Sequence, residues 1–253
     1  MSEGAPLVAV GHGSRDPRSA ATITRLLDEV RVSAPWLDVR PAFLDLSAPR
    51  LGDVLDGVHA DGHDEAVVVP LLLGTAYHAT VDVPAAVREL LQRHPLMRVR
   101  VADVLGPDHR LEAAAARRLA EVGVDPADER LGVVLAAAGS SHAPANAAVA
   151  AVTARWKSRV NWAGVTAAFA AAAEPSIGDA VRALRAEGAS QVAVGSWFLA
   201  PGLLPDRIIN GALEADPDVL IADPLGWAPE VVDVVLDRYA EAAEAAGPRL
   251  RYA

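Results

Sequence analysis

The chain contains no cysteine. This rules out disulfides, thiolate metal sites, cysteine-held iron–sulfur clusters and cysteine nucleophiles. Lysine is nearly missing too, with Lys157 as its one instance, and alanine is abundant; this is compositional bias rather than a functional signal. No apolar run reaches membrane-spanning length, and the opening residues Met1–Pro6 are short and polar, unlike a secretory signal. A cytoplasmic location is expected. Basic surplus is also lacking. The 253 residues carry a formal charge of −10, which disfavours a nucleic-acid partner, because neutralising phosphates needs a basic face. An acidic small substrate would need a local basic patch against the overall sign.

What is present is soluble and globular in composition: 52% hydrophobic and 22% charged residues. Short β-rich runs alternate with helical patterns. Leu7–Gly11, Val39–Leu44, Glu65–Leu73 and Val99–Val104 read as strands. The third (EAVVVPLLL) is nearly all apolar, as suits a parallel strand covered on both faces. Helices are expected from Asp16-Pro17 through Ser33, from Pro49 to near Gly62, over Pro84–His94, and over Asp108–Val122. The polar Gly123–Arg130 is the best candidate linker. The same order of elements then recurs: strands at Leu131–Ala137, Val165–Phe169, Gln191–Leu199 and Val219–Asp223, with helices from about Ala145, Pro175, Pro205 and Pro229.

The halves also match in residues. His12-Gly13-Ser14 aligns with Ala138-Gly139-Ser140, Phe43 with Phe169, Pro49 with Pro175, Gly62 with Gly188 and Leu73 with Leu199, each 126 positions apart (138 − 12). Ala102–Gly106 aligns with Ala222–Gly226 at 120 (222 − 102). The pattern predicts an α/β protein of two tandem, duplicated parallel-sheet domains, 1–124 and 125–253, with a cleft between them.

Ligands of open α/β sheets bind beyond the carboxyl ends of the strands. In the first half His12, Asp45 and His78 follow strands one, two and three. Their counterparts at the same offset are Ala138, Ala171 and Leu204. The framework is kept and all three polar groups are lost. Imidazole and carboxylate suit a first-row divalent metal and can accept protons. Alone, either histidine reads more plainly as a partly exposed strand-end residue, and Asp45 reads equally well as a turn or helix-cap residue.

The residues in these positions carry a resemblance. Val10-Gly11-His12-Gly13-Ser14-Arg15-Asp16-Pro17, Phe43-Leu44-Asp45 with Pro49, and Tyr77-His78-Ala79-Thr80-Val81-Asp82-Val83-Pro84 resemble, in that order, three signatures of the CbiX/SirB sirohydrochlorin chelatases. The resemblance covers nearly the whole chain. It implies a class II chelatase fold. It also implies a lyase activity that inserts Fe2+ or Co2+ into sirohydrochlorin on the way to siroheme or cobalamin, with His12 and His78 holding the metal and assisting removal of pyrrole protons. Asp45 stands where many members carry Glu; the shorter side chain leaves direct metal contact and action through a neighbour both open. The metal is a substrate, and no permanently bound cofactor is expected. Neither a membrane nor a nucleic acid is an expected partner, and the chain is expected to be a monomer or homodimer.

For the polycarboxylate macrocycle, the backbone of Gly13 and Ser14 before a helix start and Arg15, Arg50, Arg88 and Arg207 are the candidate contacts. The plain alternative for the arginines is a solvated helix surface. His59, His63 and His94 read as surface residues. A dinucleotide fold is disfavoured, because Gly11-His12-Gly13-Ser14-Arg15-Asp16 lacks the third glycine of G-x-G-x-x-G. Ser14 lacks the setting of a hydrolase nucleophile. A non-catalytic metal or tetrapyrrole carrier would need the same residues, and turnover would separate it from an enzyme.

Overall fold

The computed structural model describes residues 4–74 and 82–245. Eight strands and eight helices alternate through it. The first half contains β1 (Leu7–Gly11), α1 (Pro17–Ser33), β2 (Val39–Phe43), α2 (Leu51–Ala60), β3 (Glu65–Pro70), α3 (Val83–Arg93), β4 (Arg98–Val101) and α4 (His109–Glu121). The second repeats the series as β5 (Leu131–Ala137), α5 (Ala143–Lys157), β6 (Gly164–Phe169), α6 (Ile177–Ala186), β7 (Gln191–Ser196), α7 (Leu203–Ala215), β8 (Leu220–Ile221) and α8 (Pro229–Glu244).

Each half builds one four-stranded parallel sheet, in the orders β2-β1-β3-β4 and β6-β5-β7-β8. The apolar runs explain this. All of Leu7–Gly11 and all of Leu131–Ala137 are buried, so the central strands are covered on both faces. On one face of the first sheet Val8, Val10 and Val68 pack with Leu51, Leu55 and Val58 of α2 and Val83, Val87 and Leu90 of α3. The second sheet repeats this with Val134, Val192 and Val194 against Ile177, Val181 and Leu184 of α6 and Ile208 and Ala212 of α7. Several elements end earlier than their apolar runs suggest. β3 stops at Pro70, where proline removes a ladder donor, and Leu71–Leu73 already belong to the exit.

The compact units are not the sequential halves. One comprises Met1–Asp108 with Trp227–Ala253, the other His109–Gly226. The last helix of each repeat is exchanged. In the first unit Arg238 of α8 donates through Nε to the Val104 carbonyl (3.0 Å), and the Tyr239 hydroxyl donates to Ala5 O (2.7 Å). In the second unit Arg155 of α5 clasps Glu112 of α4 through Nε (3.1 Å) and Nη2 (2.5 Å). The chain therefore crosses between units at Asp108/His109 and Gly226/Trp227, after the matching Leu105-Gly106 and Leu225-Gly226 turns. The expected linker 123–130 instead joins α4 to β5 inside the second unit, and the 124/125 boundary divides the sequence repeats rather than the compact units. Among the described residues no helix is long and apolar enough to cross a membrane.

The exits of β1 and β2 are locked together. The parallel ladder runs past the strand ends, with Leu44 N–H donating to Gly11 O (3.0 Å) and Asp45 N–H to His12 O (2.9 Å). Gly13 has φ +93°, and a β-carbon there would lie 1.6 Å from the Asp45 carbonyl oxygen. The copy repeats all of this: Ala170 N–H to Ala137 O (2.9 Å), Ala171 N–H to Ala138 O (3.0 Å), and Gly139 at φ +82° with a virtual β-carbon 1.9 Å from Ala171 O.

Gly62 has a similar φ, +92°, with nothing within 4 Å. It separates the two costs of a side chain. Gly62→Ala should lose about 1–2 kcal/mol from left-handed strain alone. Gly13→Ala and Gly139→Ala should each lose about 3 kcal/mol or more, since the turn must also part. Urea denaturation of the three variants measures the difference, and equal losses at all three positions would refute the close-contact account.

Candidate functional site

In the order β2-β1-β3-β4 the connections leaving β1 and β3 run to opposite sides, which puts the switch point of the first sheet at the ends of these neighbouring strands. His12 leaves β1 one residue after Gly11, and Asp45 leaves β2 two residues after Phe43, its pairing partner. Both side chains are exposed, and both line an open depression of about 750 Å³. His78, on the exit of β3, lies outside the described residues.

The turn carrying Asp45 is tightly specified. Leu46 adopts φ +61°, an uncommon state for a branched side chain, and its counterpart Ala172 adopts +57°. Phe43 N–H donates to Pro49 O (2.9 Å), and Ser47 N–H to Asp45 O (2.7 Å). Ser47 then staples the two exits together. Its hydroxyl accepts from Ser14 N–H (3.1 Å) and donates to Ser14 O (2.9 Å). The copy has Ala173 there and fills the role differently: Asn146 accepts from Ser140 N–H through Oδ1 (2.9 Å) and donates to Ser140 O through Nδ2 (2.7 Å).

Arg50 donates from Nη1 to Asp45 Oδ1 (2.7 Å) and to the Leu44 carbonyl (2.9 Å). This hydrogen bond holds the Asp45 carboxyl below its ordinary range; the Leu46 N–H and the positive influence of nearby His12 act in the same direction. The carboxylate therefore stays ionised as the pH falls into the mildly acidic range.

The candidate macrocycle contacts fare unevenly. The α1 N-terminus is used internally: Ser14 N–H goes to Ser47, Asp16 N–H to Ser14 Oγ (3.0 Å) and Arg18 N–H to Asp16 Oδ1 (2.9 Å). Asp16 caps the helix, so an anion expected at Gly13-Ser14 meets a carboxylate already in place. Arg50, another of the candidate contacts, is engaged by Asp45. Arg15 and Arg88 are exposed and do not line the depression. Arg207, in the second unit, donates to Ala170 O (3.2 Å).

Asp82 of the third signature, just before α3, also lines the depression, as do four residues not singled out from the sequence: Asp53 and Asp56 of α2, and Glu89 and Arg93 of α3. Asp56 takes Arg93 (2.9 Å) and His94 Nε2 (2.9 Å), and the His94 ring lies 4.2 Å from that of His59, whose Nδ1 is buried without a partner. These two histidines, expected at the surface, are half-buried against each other. The three-residue spacing of Asp53 and Asp56, one helical turn, was the available signal. Among the described residues no cluster of three or more His, Asp or Glu is arranged to hold a metal; His12 and Asp45 are the pair brought together.

The second half also corrects one correspondence. Twelve residues, 71–82, connect β3 to α3, but only six, 197–202, connect β7 to α7. This shortening changes the repeat offset from 126 to 120. Leu204 lies inside α7, so the copy lacks a stretch of the connection that carries His78 rather than substituting that histidine.

Taken together, the molecule is a duplicated parallel α/β protein with an imidazole–carboxylate pair at the strand ends of one copy. The CbiX family profile matches residues 6–122 and 132–242. The chain belongs to the CbiX family. It is 26% identical over 242 residues to a sirohydrochlorin ferrochelatase of Bacillus subtilis, covering 94% of this chain and 91% of that protein. It is 25% identical to a sirohydrochlorin cobaltochelatase of Priestia megaterium, covering 93% and 79% respectively. The structure of SirB from Bacillus subtilis with Fe3+ superposes with a TM-score of 0.81 at 24% identity, over 95% of this chain and 96% of that one; it shares the fold.

The Ser47 staple is testable. Ser47→Ala should cost about 1 kcal/mol by removing a two-way hydrogen bond. Adding Ala20→Asn, at the position equivalent to Asn146, should restore most of it. Thermal denaturation of the single and double variants checks both, and a double variant no more stable than Ser47→Ala would refute the equivalence.

Proposed function

We propose that this chain inserts a divalent metal, Fe2+ or Co2+, into sirohydrochlorin. The observation that carries the reading is the pairing of His12 and Asp45 at adjacent strand ends of one copy, against a second copy that keeps the backbone and carries alanine at both places. The names of the full-length relatives point to the same reaction.

Metallation replaces two pyrrole N–H protons with one M2+, and the ion sheds water as it transfers. A neutral imidazole serves both steps: it binds an ion loosely enough to release it, and it accepts a departing proton. His12 takes this part, with His78 as the second imidazole. Asp45 supplies a fixed negative charge beside the ion. The carboxylates of Asp53, Asp82 and Glu89 on the same depression favour a cation there.

Anaerobic spectrophotometry with Fe2+ or Co2+, sirohydrochlorin and substoichiometric protein tests the reading. Multiple turnovers are expected, and His12→Ala should lower the rate roughly 100-fold or more with an unchanged melting temperature. Stoichiometric binding without turnover would instead identify a carrier.

A further inference from the structure

Arg50 and Ser176 hold the same place in the two copies, at the N-caps of α2 and α6, with φ, ψ of −74°, 149° and −67°, 161°. Ser176 behaves as a cap. Its hydroxyl accepts from Asp179 N–H (3.3 Å) and donates to Asp179 Oδ2 (2.6 Å). Serine followed three residues later by an acid is a capping arrangement that satisfies otherwise unpaired helix N–H groups. α2 keeps the acid, Asp53, but Arg50 makes no side-chain cap bond. Its guanidinium instead spans Leu44 O and Asp45 Oδ1.

Stability does not account for this exchange. The Arg50 and Asp45 side chains are 51% and 59% exposed, and an ion pair so open to water contributes less than a good N-cap. The partner is as particular to this copy as Arg50 is: Ala171 stands opposite Asp45. The cation, its carboxylate and His12 are present together in one copy and replaced together in the other.

We propose that Arg50 is a positioning residue for Asp45, fixing its carboxylate on the wall of the depression that His12 also lines, at the expense of the α2 N-cap. Two anchors make this possible, since one guanidinium nitrogen meets both the backbone carbonyl of the turn and the carboxylate. A lysine ammonium, a more flexible point charge, fixes direction less well. The proposal rests on the chelatase reading.

Steady-state kinetics and melting temperatures of wild type, Arg50→Ser, Arg50→Lys, Asp45→Asn and the Asp45→Asn/Arg50→Ser double variant test it. Arg50→Ser should melt higher, having regained the cap that Ser176 provides. Its kcat should fall roughly tenfold, with KM for sirohydrochlorin changed by less than about twofold. Arg50→Lys should recover part of kcat, and in the Asp45→Asn background Arg50→Ser should cost nothing further. A raised KM at unchanged kcat, or losses that add in the double variant, would mean that Arg50 meets the macrocycle itself and would overturn the proposal. So would a lower melting temperature for Arg50→Ser. Wild-type turnover reports separately on the chelatase reading. If it is absent, Co2+ titration of the same proteins decides: weaker binding in Arg50→Ser only when Asp45 is present supports positioning, and weakening independent of Asp45 overturns it.

Discussion

The approach of Gly13 to the Asp45 carbonyl governs the site. Two strand exits run side by side and continue the parallel ladder beyond the sheet, which brings the backbone after β1 against the backbone after β2 more closely than any β-carbon permits. Once that contact forms, His12 and Asp45 have no choice but to be neighbours. The left-handed Leu46 and the Ser47 staple follow from the same closure, because the second exit must turn sharply to meet the first before entering α2. The candidate site is carried on loops, but on loops set by the rigid ends of a buried sheet.

The duplicate shows which parts of this apparatus are structural. Glycine, the positive φ after it in the turn, and the ladder extension survive in a half that has lost the imidazole and the carboxylate. The staple survives as a role while changing its residue, from Ser47 on the second exit to Asn146 on the helix after the first. Closure of the two exits is therefore worth keeping for the fold alone. The side chains it presents are a separate matter, and they change as a set. The connection after the third strand changes more deeply, by length, where the copy is six residues shorter.

Much of this was legible in the sequence, because it depends on local rules. Continuous apolar runs such as Glu65–Leu73 announce parallel strands, proline and polar residues mark helix starts, and a constant offset exposes the repeat. The exchange of α4 and α8 was not legible, since an amphipathic helix records which face it buries but not which sheet it buries it against. The role of Arg50 was hidden for a related reason. An arginine near a carboxylate-binding site reads as a substrate contact until the turn from Leu44 to Pro49 is seen to fold its own Asp45 back onto it. The acidic lining of the depression was hidden because its members come from α2 and from around α3, and are brought together only by helix packing.

That lining bears on how two substrates of opposite charge can share one protein. A divalent ion is drawn to carboxylates, and a polycarboxylate macrocycle is repelled by them. Asp45, Asp53, Asp56, Asp82 and Glu89 line the depression against two arginines, Arg50 held by Asp45 and Arg93 by Asp56 and Glu89, so negative charge is in excess there. The α1 N-terminus, a natural anion seat, is filled by Asp16. Among the described residues, Arg50, Arg93 and the α1 N-terminus are thus each matched by a side chain of the protein itself, and the field that remains favours a cation. On the chelatase reading the carboxylates of sirohydrochlorin must be met by other cations, of which Arg15 and Arg88 stand exposed outside the depression. On that same reading, separating the two fields would let the ion be held at His12 without the macrocycle's acidic rim competing for it, and transfer to the pyrrole nitrogens would be the exit left open.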